Sequence, residues 1–429
     1  MKDGADKPLT RHFKPGPEPP SLAEYQRSGG FSGLRRALAE LSPEQLKEQL
    51  KASGLRGRGG AGFMTGVKAG FVPSGADAPR RRYLVANADE MEPGTNKDRY
   101  LIEGNPHQLI EGMILTAYAI GANCAYIFLR WAYKRSARLL RQAIAEAHQA
   151  GLLGRDILGS GFDLELVLHQ SAGRYICGEE TALLNALEGR RAIPRAKPPF
   201  PPAVGLFGRP TIVQNVETLC NVPPIAEHGA EWYQQLGLGS EGGTKIYGVS
   251  GKVKRPGLWE LPMGTSAREL VFDYAAGMRD GCSFRAVLPG GASTAFLSAA
   301  QLDTPMDFES VQRAGSRLGT GTMIVLDDQT CPIGCIHNLI RFFAQESCGF
   351  CTPCREGLPW AERILAAIEA GQGQPEDLEL LRHHCRFLES GFTHCALAPG
   401  AMAPLASGLD LFAADFERHL ADGRCPWER

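Results

Sequence analysis

Three regularly spaced cysteines constrain this chain more than any other feature of its sequence. Cys348, Cys351 and Cys354 lie three residues apart, and Pro353 between them interrupts a regular helix. Three thiolates this close repel one another unless a metal centre takes up their charge. Cys395, in a segment bounded by glycine and proline, offers a fourth ligand. Three cysteines plus one are typical of a [4Fe–4S] cluster, in which each iron takes one protein thiolate.

Other roles for these cysteines stay open at this stage. Structural zinc more often uses two separated pairs of ligands, and disulfides are not expected where residues 1–20 carry no apolar export signal. Cys385 competes with Cys395 for the fourth position, but its helical surroundings favour a structural role. Cys331 and Cys335 alone cannot complete a cluster, so we expect ordinary packing for them.

Composition and charge limit the classes of partner. With 429 residues the chain is long enough for two or three domains, and its 43% apolar and 22% charged residues are typical of globular proteins. A net charge of −1 provides no basic surface for nucleic acid and no polybasic patch for a membrane. The apolar run 113–129 is shorter than a membrane span and contains Gly121 and Asn123. We therefore expect no nucleic-acid partner and no direct membrane insertion.

Alternating strands and helices predict an α/β domain over residues 31–240. This alternation is typical of a parallel sheet covered on both faces by helices. The expected strands are 83–87, 125–129 and 164–168, and the expected helices are 31–49 in two parts, 106–120, 133–150, 179–187 and 216–225. Residues 1–30 are expected to form an irregular lead-in.

Two further parts are expected after this domain. Residues 241–330 combine short strands with one helix at 266–274, which predicts a small α+β domain. Residues 331–429 are helical in pattern and predict a four-helix bundle with the cysteines between its helices. The expected helices there are 336–346, 355–370, 375–389 and 396–421 with a break.

A glycine-rich loop is the second candidate site. The pattern G-x-G-x-x-G occurs at Gly57, Gly59 and Gly62. Glycines let backbone N–H groups approach a phosphate closely, and Arg58 and Lys68 add positive charge. A dinucleotide fingerprint, however, follows a strand, and no strand is expected before this loop. A flexible surface loop is therefore the alternative.

Polar segments after two expected strands support a ligand site. Residues 87–94 lie at the carboxyl end of the first strand, where open α/β sheets bind ligands. Residues 175–181 open a helix, where their two glutamates also suit the helix dipole. Phe63, Phe71 and Phe200 lie in loops, where they are available to stack on a flat ring. Each feature alone is also explained by solvation, capping or packing.

Six motifs in order resemble the NADH-binding flavoprotein subunit of bacterial respiratory complex I. They are residues 57–63, 87–94, 175–181, 197–201 and 215–219 and the four cysteines, within a similarity that spans about residues 30–420. The resemblance implies an α/β fold with three parts. These are a Rossmann-like FMN- and NADH-binding domain, a β-grasp-like α+β domain, and a C-terminal four-helix bundle that carries a [4Fe–4S] cluster.

The resemblance also implies site residues. Those that match FMN contacts are Gly57, Arg58, Gly59, Gly60, Lys68, Asn87, Asp89, Tyr175, Gly178, Glu179, Asn215 and Thr218. Those that match the NADH site are Phe63, Phe71, Glu92, Glu180 and Phe200, and the cluster ligands are Cys348, Cys351, Cys354 and Cys395. Gln214 stands where the family usually has an asparagine, which leaves one flavin contact open.

The implied activity is oxidation of NADH by hydride transfer to FMN, followed by single-electron transfer to the [4Fe–4S] cluster. The implied host is a proton-pumping NADH:quinone oxidoreductase. Its partners here would be a thioredoxin-like [2Fe–2S] subunit and a large multi-cluster iron–sulfur subunit, in the cytoplasm at the inner membrane. Glu180 is expected to limit how tightly NADH and NAD⁺ bind. Two alternatives remain: the diaphorase component of a soluble NAD-linked hydrogenase or formate dehydrogenase, and a metal-stabilised scaffold without activity.

Overall fold

The computed structural model describes residues 6–14, 16–75 and 79–427, which divide into two compact units. The first unit comprises 1–91, 96–246 and 260–264, and the second comprises 92–95, 247–259 and 265–429, apart from the undescribed residues. This division is coarser than the three predicted parts, so the boundaries at 240 and 330 stay predictions. Residues 1–5 and 15 of the predicted lead-in and residues 428–429 lie outside the described residues.

A parallel four-stranded sheet forms the centre of the first unit. Its strands are β1 (Tyr83–Ala88), β2 (Cys124–Leu129), β3 (Glu165–Gln170) and β4 (Thr211–Asn215). Their order is β3-β2-β1-β4, and β1 pairs in parallel with both β2 and β4. The parallel sheet predicted from strand–helix alternation is confirmed. The sequence does not predict β4, because its five residues lie between a proline-rich loop and a helix without an alternating pattern.

Helices precede, connect and follow the strands of this sheet in the sequence. They are α1 (Leu22–Arg27), α2 (Ser32–Glu40), α3 (Pro43–Ala52), α4 (Thr65–Gly70), α5 (Lys97–Gly104), α6 (Pro106–Ile120), α7 (Lys134–Gln149), α8 (Glu180–Leu187), α9 (Val216–Cys220), α10 (Val222–His228) and α11 (Ala230–Gln235). α6 is almost wholly buried and ends at Gly121, whose φ is 66°. The apolar run 113–129 is therefore a core helix, a turn and strand β2, as predicted.

Two predictions for this unit are wrong in part. Residues 22–27 are helical rather than irregular, because Ser21 and Glu24 form a reciprocal capping box at the start of α1. The single helix expected at 216–225 is two helices, α9 and α10, separated at Asn221. Prolines occupy the first turn of α10, and a residue without an N–H group cannot continue the hydrogen bonds of a preceding helix.

A second sheet of five mixed strands follows. Its strands are β5 (Thr244–Gly251), β6 (Gly257–Pro262), β7 (Phe284–Leu288), β8 (Leu297–Ser298) and β9 (Thr322–Asp327). Their order is β6-β5-β9-β7-β8, with β5 parallel to β9 and β7 antiparallel to both of its neighbours. The helix expected at 266–274 is limited to a π-helical segment, Glu269–Tyr274. A sheet with little helix agrees with the predicted α+β part.

The remaining residues of the second unit are mainly helical. The helices are α12 (Phe308–Arg313), α13 (Pro332–Glu346), α14 (Thr352–Glu369), α15 (Pro375–Phe387), α16 (Leu397–Leu411) and α17 (Ala413–Asp422). α13 and α15 each pack against both α14 and α16, and α17 packs against α13, α14 and α16 as a fifth helix; the four-helix bundle stays a prediction. Among the described residues no single helix is long and apolar enough to cross a membrane. α16 and α17 together satisfy that criterion by length and composition alone, and they bend by 77°.

Candidate functional site

The order in which the chain adds strands to the first sheet reverses between β1 and β4, and the carboxyl ends of these two strands mark this topological switch point. From β1 the chain adds β2 and β3 on one side, and β4 returns to the other side of β1. Open α/β sheets bind ligands at such a switch point. Asn87 at the end of β1 lies opposite Asn215 at the end of β4. Two predicted FMN ligands therefore meet at this edge.

The glycine loop lies against the same edge. It joins α3 to α4, and the Gly57 N–H donates to the Phe63 carbonyl at 2.8 Å. A Cβ atom on Gly59 would lie 3.1 Å from the Cβ of Asn215, closer than most side chains allow. Gly60 has a φ of 119°, which favours glycine. The loop reaches the strand end from a helix, so the absence of a preceding strand does not prevent this placement.

Arg58 turns away from the loop surface. It is only 1% exposed, and its Nη2 donates to Tyr233 Oη at 3.2 Å and to the Thr244 carbonyl at 3.3 Å. The prediction that its side chain adds positive charge at the loop surface is wrong, because interior acceptors hold the guanidinium. Its backbone N–H donates to Thr218 Oγ1 at 2.8 Å, so these two predicted FMN ligands meet through the backbone.

Two lysines and two glutamates form a charged cluster at the start of α8. Lys68 Nζ donates to Glu180 Oε2 and to the Val213 carbonyl, both at 2.9 Å. Lys197 Nζ lies 3.0 Å from Glu179 Oε1 and 3.2 Å from Glu180 Oε1. Burial opposes ionisation of Glu180, but the two ammonium groups outweigh it and lower the pKa of this carboxyl. Predicted FMN and NADH ligands are thus neighbours here. Lys197 joins them, although the sequence alone gives it no separate role within its motif.

A buried charge network orients Asn215. Its Nδ2 donates to Asp98 Oδ2 at 2.6 Å, and its Oδ1 accepts from Lys97 Nζ at 3.2 Å. Lys97 Nζ also lies 2.8 Å from Glu217, which Lys245 Nζ contacts at 3.1 Å. Burial opposes ionisation of Glu217, yet the two lysines lower its pKa to about 2. No sequence pattern marks Lys97, Asp98 or Lys245, because nothing local shows that these charges are buried.

The segment before α8 is tied to the end of β1. Asn87 Nδ2 donates to the Gly178 carbonyl at 2.9 Å, and a Cβ atom on Gly178 would meet nothing within 4 Å. Tyr175 begins the 3₁₀ turn that ends at Gly178. The Glu179 side chain caps α8 by accepting hydrogen bonds from backbone N–H groups of the first turn of that helix, so Glu179 also stabilises the helix start. Asp89 accepts from the Ser171 hydroxyl at 2.8 Å. The space beside Gly178 is therefore open next to predicted ligands.

Two buried polar atoms, one on β4 and one on α4, test whether a flavin fits. Gln214 Nε2, next to Asn215, and Thr65 Oγ1, at the start of α4, have no hydrogen-bond partner among the described residues. Buried polar groups almost always have a partner. The two atoms, with the close approach of the glycine loop, therefore fit a bound molecule rich in hydrogen-bonding groups, such as FMN. Gln214 replaces the family's asparagine with another amide that can donate.

Aromatic side chains of the predicted NADH site remain exposed. Phe63, Phe71 and Phe200 are 51%, 58% and 56% exposed. The rings of Phe63 and Phe71 lie 6.2 Å apart, whereas Phe200 is in the loop that precedes β4. Exposed rings forgo the burial that stabilises most phenylalanines, so a flat ligand would gain contact here. Glu92 belongs to the second unit, where it accepts from the Ser293 N–H at 2.7 Å, and its NADH contact stays a prediction.

The predicted cluster cysteines converge on one region of the second unit. Cys348 and Cys351 lie in the loop between α13 and α14, Cys354 in the first turn of α14, and Cys395 just before α16. Burial raises the pKa of the Cys354 thiol to about 12, although a hydrogen bond with Ser347 opposes this, and the three other cysteines add to the rise. Three cysteines close enough to act electrostatically on a fourth are the donor set that an iron–sulfur cluster uses.

The competing cysteine has different surroundings. Cys385 lies within α15, is 7% exposed, and has its pKa raised to about 12 chiefly by burial. Cys395, in contrast, acts electrostatically on Cys354. The rings of Phe350 and His394 lie 4.9 Å apart, so the loop that contains Cys348 and Cys351 contacts the loop that contains Cys395. These contacts favour Cys395 as the fourth ligand.

Comparison with known proteins identifies the family. Residues 50–224 match the model described as Nuo51 FMN-binding domain, and residues 334–419 match the NADH-ubiquinone oxidoreductase-F iron-sulfur binding region. The NADH-quinone oxidoreductase F subunits of Salmonella typhimurium and of Escherichia coli are each 56% identical over 410 residues, covering 96% of this chain and 92% of theirs. The chain belongs to the family of NADH-quinone oxidoreductase F subunits. The Mycobacterium tuberculosis member is 46% identical over 425 residues, covering 98% of this chain and 95% of that protein. The resemblance seen in the motifs is confirmed.

Solved structures of a different enzyme share the fold. The crystal structure of NAD⁺-reducing [NiFe]-hydrogenase in the H₂-reduced state has a TM-score of 0.82 and 35% identity, covering 95% of this chain and 68% of that chain. The air-oxidised state gives a TM-score of 0.82 and 36% identity, covering 94% and 67%. The hydrogenase chain is less similar in sequence than the three bacterial NADH-quinone oxidoreductase proteins.

Proposed function

We propose that this chain oxidises NADH and delivers the electrons singly to a [4Fe–4S] cluster, as the entry module of a proton-pumping NADH:quinone oxidoreductase. One observation carries the proposal: the two matched family regions contain the two candidate sites, the switch-point corner and the four converging cysteines. Bound FMN supplies the chemistry, because a flavin accepts a hydride from NADH and releases electrons one at a time. The protein binds the flavin and the nucleotide, orients them towards each other and keeps solvent away from them.

The flavin would be held at the switch point, where the carboxyl ends of β1 and β4 meet the glycine loop. The glycine loop approaches the phosphate, and Asn215, fixed by Asp98 and Lys97, offers its remaining N–H to the ligand. Gly178 leaves room for the ring system beside Asn87. The proposed FMN residues are Gly57, Arg58 through its backbone, Gly59, Gly60, Lys68, Asn87, Asp89, Tyr175, Gly178, Glu179, Asn215 and Thr218.

NADH binds over the exposed aromatic rings. Phe63, Phe71 and Phe200 stack on its adenine end, and Glu92 and Glu180 are its polar partners. Glu180 keeps a full negative charge because Lys68 and Lys197 lower its pKa. A charged carboxylate repels the nucleotide phosphates, so Glu180 limits how tightly both NADH and NAD⁺ bind. Weak product binding favours turnover.

The cluster and the partners follow from the single-electron step. Cys348, Cys351, Cys354 and Cys395 hold the [4Fe–4S] cluster, which needs an acceptor outside this chain. The proposed acceptors are a thioredoxin-like [2Fe–2S] subunit and a large multi-cluster iron–sulfur subunit of the same complex. The chain is then cytoplasmic and peripheral to the inner membrane through that complex.

An anaerobic NADH titration of the purified chain tests this function. We expect bound FMN, about four irons per chain, bleaching of the flavin on NADH addition, and an EPR signal from the reduced cluster when a low-potential donor follows. Ferricyanide reduction by NADH measures turnover. A chain that lacks flavin, contains zinc in place of iron at the four cysteines and does not oxidise NADH would instead be the metal-stabilised scaffold.

The similarity to the hydrogenase chain favours one second candidate, the diaphorase component of a soluble NAD-linked enzyme. Both candidates use the same flavin and nucleotide sites, so the NADH titration does not separate them. Purification of the tagged chain from its native cells does. Recovery with quinone-reducing membrane proteins supports the leading proposal, and recovery with a soluble hydrogenase or formate dehydrogenase supports the alternative.

A further inference from the structure

A second set of metal-ligating side chains lies in the helical part of the second unit. Cys331, Glu369, His419 and Cys425 each bring one ligand atom to within 4.8 Å of the others. Cys331 Sγ lies 2.9 Å from Glu369 Oε1 and 3.4 Å from His419 Nε2. His419 Nε2 lies 3.2 Å from Glu369 Oε1. Both cysteines are free thiols. The sequence alone predicts ordinary packing for Cys331, because Cys331 and Cys335 cannot complete a cluster by themselves and the other three side chains are distant along the chain.

We propose that these four side chains bind one Zn²⁺ ion. Tetrahedral zinc lies about 2.3 Å from sulfur and about 2.0–2.1 Å from nitrogen or oxygen. Those lengths place ligand atoms about 3.3 Å apart for nitrogen with oxygen and about 3.6 Å apart for sulfur with nitrogen. The His419–Glu369 and Cys331–His419 distances are within about 0.2 Å of these edges. Of the three measured pairs, Cys331–Glu369 has to open, by about 0.7 Å.

The ligand types also select zinc. Two thiols, an imidazole and a carboxylate suit zinc, whereas calcium and magnesium prefer oxygen ligands throughout. His419 Nδ1 lies 2.7 Å from the Asp415 carbonyl, which keeps the proton on Nδ1 and leaves the Nε2 lone pair for a metal. The Gly334 N–H donates to Cys331 Sγ at 3.2 Å and so stabilises a thiolate there. Zinc-ligating side chains usually have such supporting hydrogen bonds.

Two of the four side chains are buried, and the other two are partly exposed. His419 is fully buried and Cys425 is 3% exposed. The ring of Trp427 stacks on His419 with centroids 5.7 Å apart. The buried His419 faces the partly exposed carboxylate of Glu369, and a bound cation would be compensated by that carboxylate. A zinc ion is such a cation and also uses both thiols.

The position in the fold separates this site from the iron–sulfur cluster. Cys331 caps the start of α13, and the cluster loop follows the end of that helix, 15 residues later. At about 1.5 Å per residue, the two sites lie roughly 22 Å apart along α13. Glu369 ends α14, and His419 lies on α17. The ion therefore fastens three helices at the end of the bundle opposite the cluster, and its presence does not depend on the proposed NADH oxidation.

Metal analysis of the full chain, purified anaerobically with its cluster, tests the proposal. We expect about one zinc and about four irons per chain. Cys331→Ser and Glu369→Gln should lose zinc and keep iron. Cys335→Ser, one turn along α13 and outside the set, is the matched control and should keep both metals. Cys351→Ser should lose iron and keep zinc.

X-ray absorption at the zinc edge tests the unsubstituted chain, independently of whether a variant folds. We expect a mixed shell of two sulfur and two nitrogen or oxygen ligands. Zinc below about one tenth per chain, against the single ion that a filled structural site holds, would overturn the proposal. A shell of four sulfurs, or zinc that disappears with Cys351→Ser, would overturn it too, because the ion would then occupy the cluster cysteines.

Discussion

Glu217 is the carboxylate that joins Lys97 and Lys245 in the buried charge network of the first unit. Its carboxylate forms ion pairs with both Lys97 and Lys245, and all three side chains are fully buried. Removing one member of a buried charged set costs more than the whole set contributes, because the remaining charges lose their compensation. The same network fixes the amide of Asn215 through Lys97. A change at Glu217 should therefore affect both the stability of the first unit and the orientation of Asn215 in the proposed flavin site.

Glu217→Gln should lower the free energy of unfolding by about 3–5 kcal/mol. The two lysines would then share no carboxylate between them, and Asn215 would be less well oriented. Urea unfolding followed by tryptophan fluorescence measures the loss, and FMN content after gel filtration should fall in parallel. Glu44→Gln is the control, because Glu44 is 70% exposed in a surface pair with Lys47. It should change stability by less than about 1 kcal/mol, and equal losses in both variants would contradict the network.

Glu180→Gln should tighten nucleotide binding. Removing the carboxylate leaves Lys68 and Lys197 without that partner and removes repulsion from the phosphates, so the KM for NADH should fall about 3–10-fold, or roughly 0.7–1.4 kcal/mol. Inhibition by NAD⁺ should strengthen by a similar factor. The control is Glu165→Gln, an exposed residue at the start of β3. Unchanged affinity and turnover in the Glu180 variant would remove support for this role.

Sequence motifs bring predicted flavin residues together at the carboxyl ends of β1 and β4 but do not show how their side chains are placed. The motifs name Arg58 and Lys68 alike as cations, yet Arg58 is buried on interior carbonyls while Lys68 faces Glu180. Lys245 lies 28 positions from Glu217 and carries no pattern of its own. Side-chain direction and burial depend on tertiary packing, which local sequence does not encode.

At the scale of elements, the predicted cluster cysteines lie on two segments: Cys348, Cys351 and Cys354 from the end of α13 to the first turn of α14, and Cys395 just before α16. Substitution distinguishes the two candidates for the fourth ligand. Cys395→Ser should lose most of the iron and the visible absorption of the cluster, because each iron of the cluster takes one thiolate. Cys385→Ser should keep about four irons, since that thiol is buried within α15. Iron assay and EPR of the two variants decide the matter. A Cys385 variant without iron and a Cys395 variant with it would reverse the assignment.

The N-terminal segment is an element that sequence patterns underestimate. Its capping box is visible in the sequence, but six helical residues give too short a period to recognise. Leu9 is 1% exposed and its N–H donates to Glu260 Oε1, a contact between residues 251 positions apart. Packing at such separation holds the segment in place, as the pairing of β4 with β1 does for that strand.

Acid should weaken this N-terminal packing. The rings of His12 and His107 both contact Tyr25, and burial, with Arg11 acting on His12, lowers the pKa of each histidine to about 4. Between pH 4 and 6.5 these two histidines therefore bind more protons in the unfolded chain than in the folded chain, so their contribution to stability falls as the pH falls. The slope should be at most about 1.4 kcal/mol per pH unit for each histidine.

Urea midpoints measured across that pH range check the slope. His107→Gln cannot titrate, so its curve should be flatter below pH 6.5 than that of the unsubstituted chain. His148→Gln, at an exposed position in the last turn of α7, should leave the slope unchanged. Identical curves for all three proteins would show that the buried histidine does not govern acid stability.

At the scale of the whole molecule, the first unit is not continuous in sequence. It includes residues 244–246 and 260–264, beyond the boundary predicted at 240 from the cluster of glycines at 237–243. Glycines mark turns, but they do not show which side of a turn supplies buried partners. Lys245 completes the charge network around Glu217, and Glu260 accepts from Leu9, Thr10 and Thr244. A cut at 240 removes both groups.

Two truncated chains test this boundary. A chain that ends after residue 264 keeps both partners and should unfold cooperatively on heating and retain FMN. A chain that ends after residue 240 leaves Glu217 with one lysine fewer and the backbone N–H groups of Leu9 and Thr10 without their acceptor, at roughly 1–3 kcal/mol for each buried group left unpaired. We expect it to be cleaved rapidly by protease and to lose FMN. Equal protease resistance and flavin content in the two chains would place the true boundary at 240, with the later strands dispensable for the flavin site.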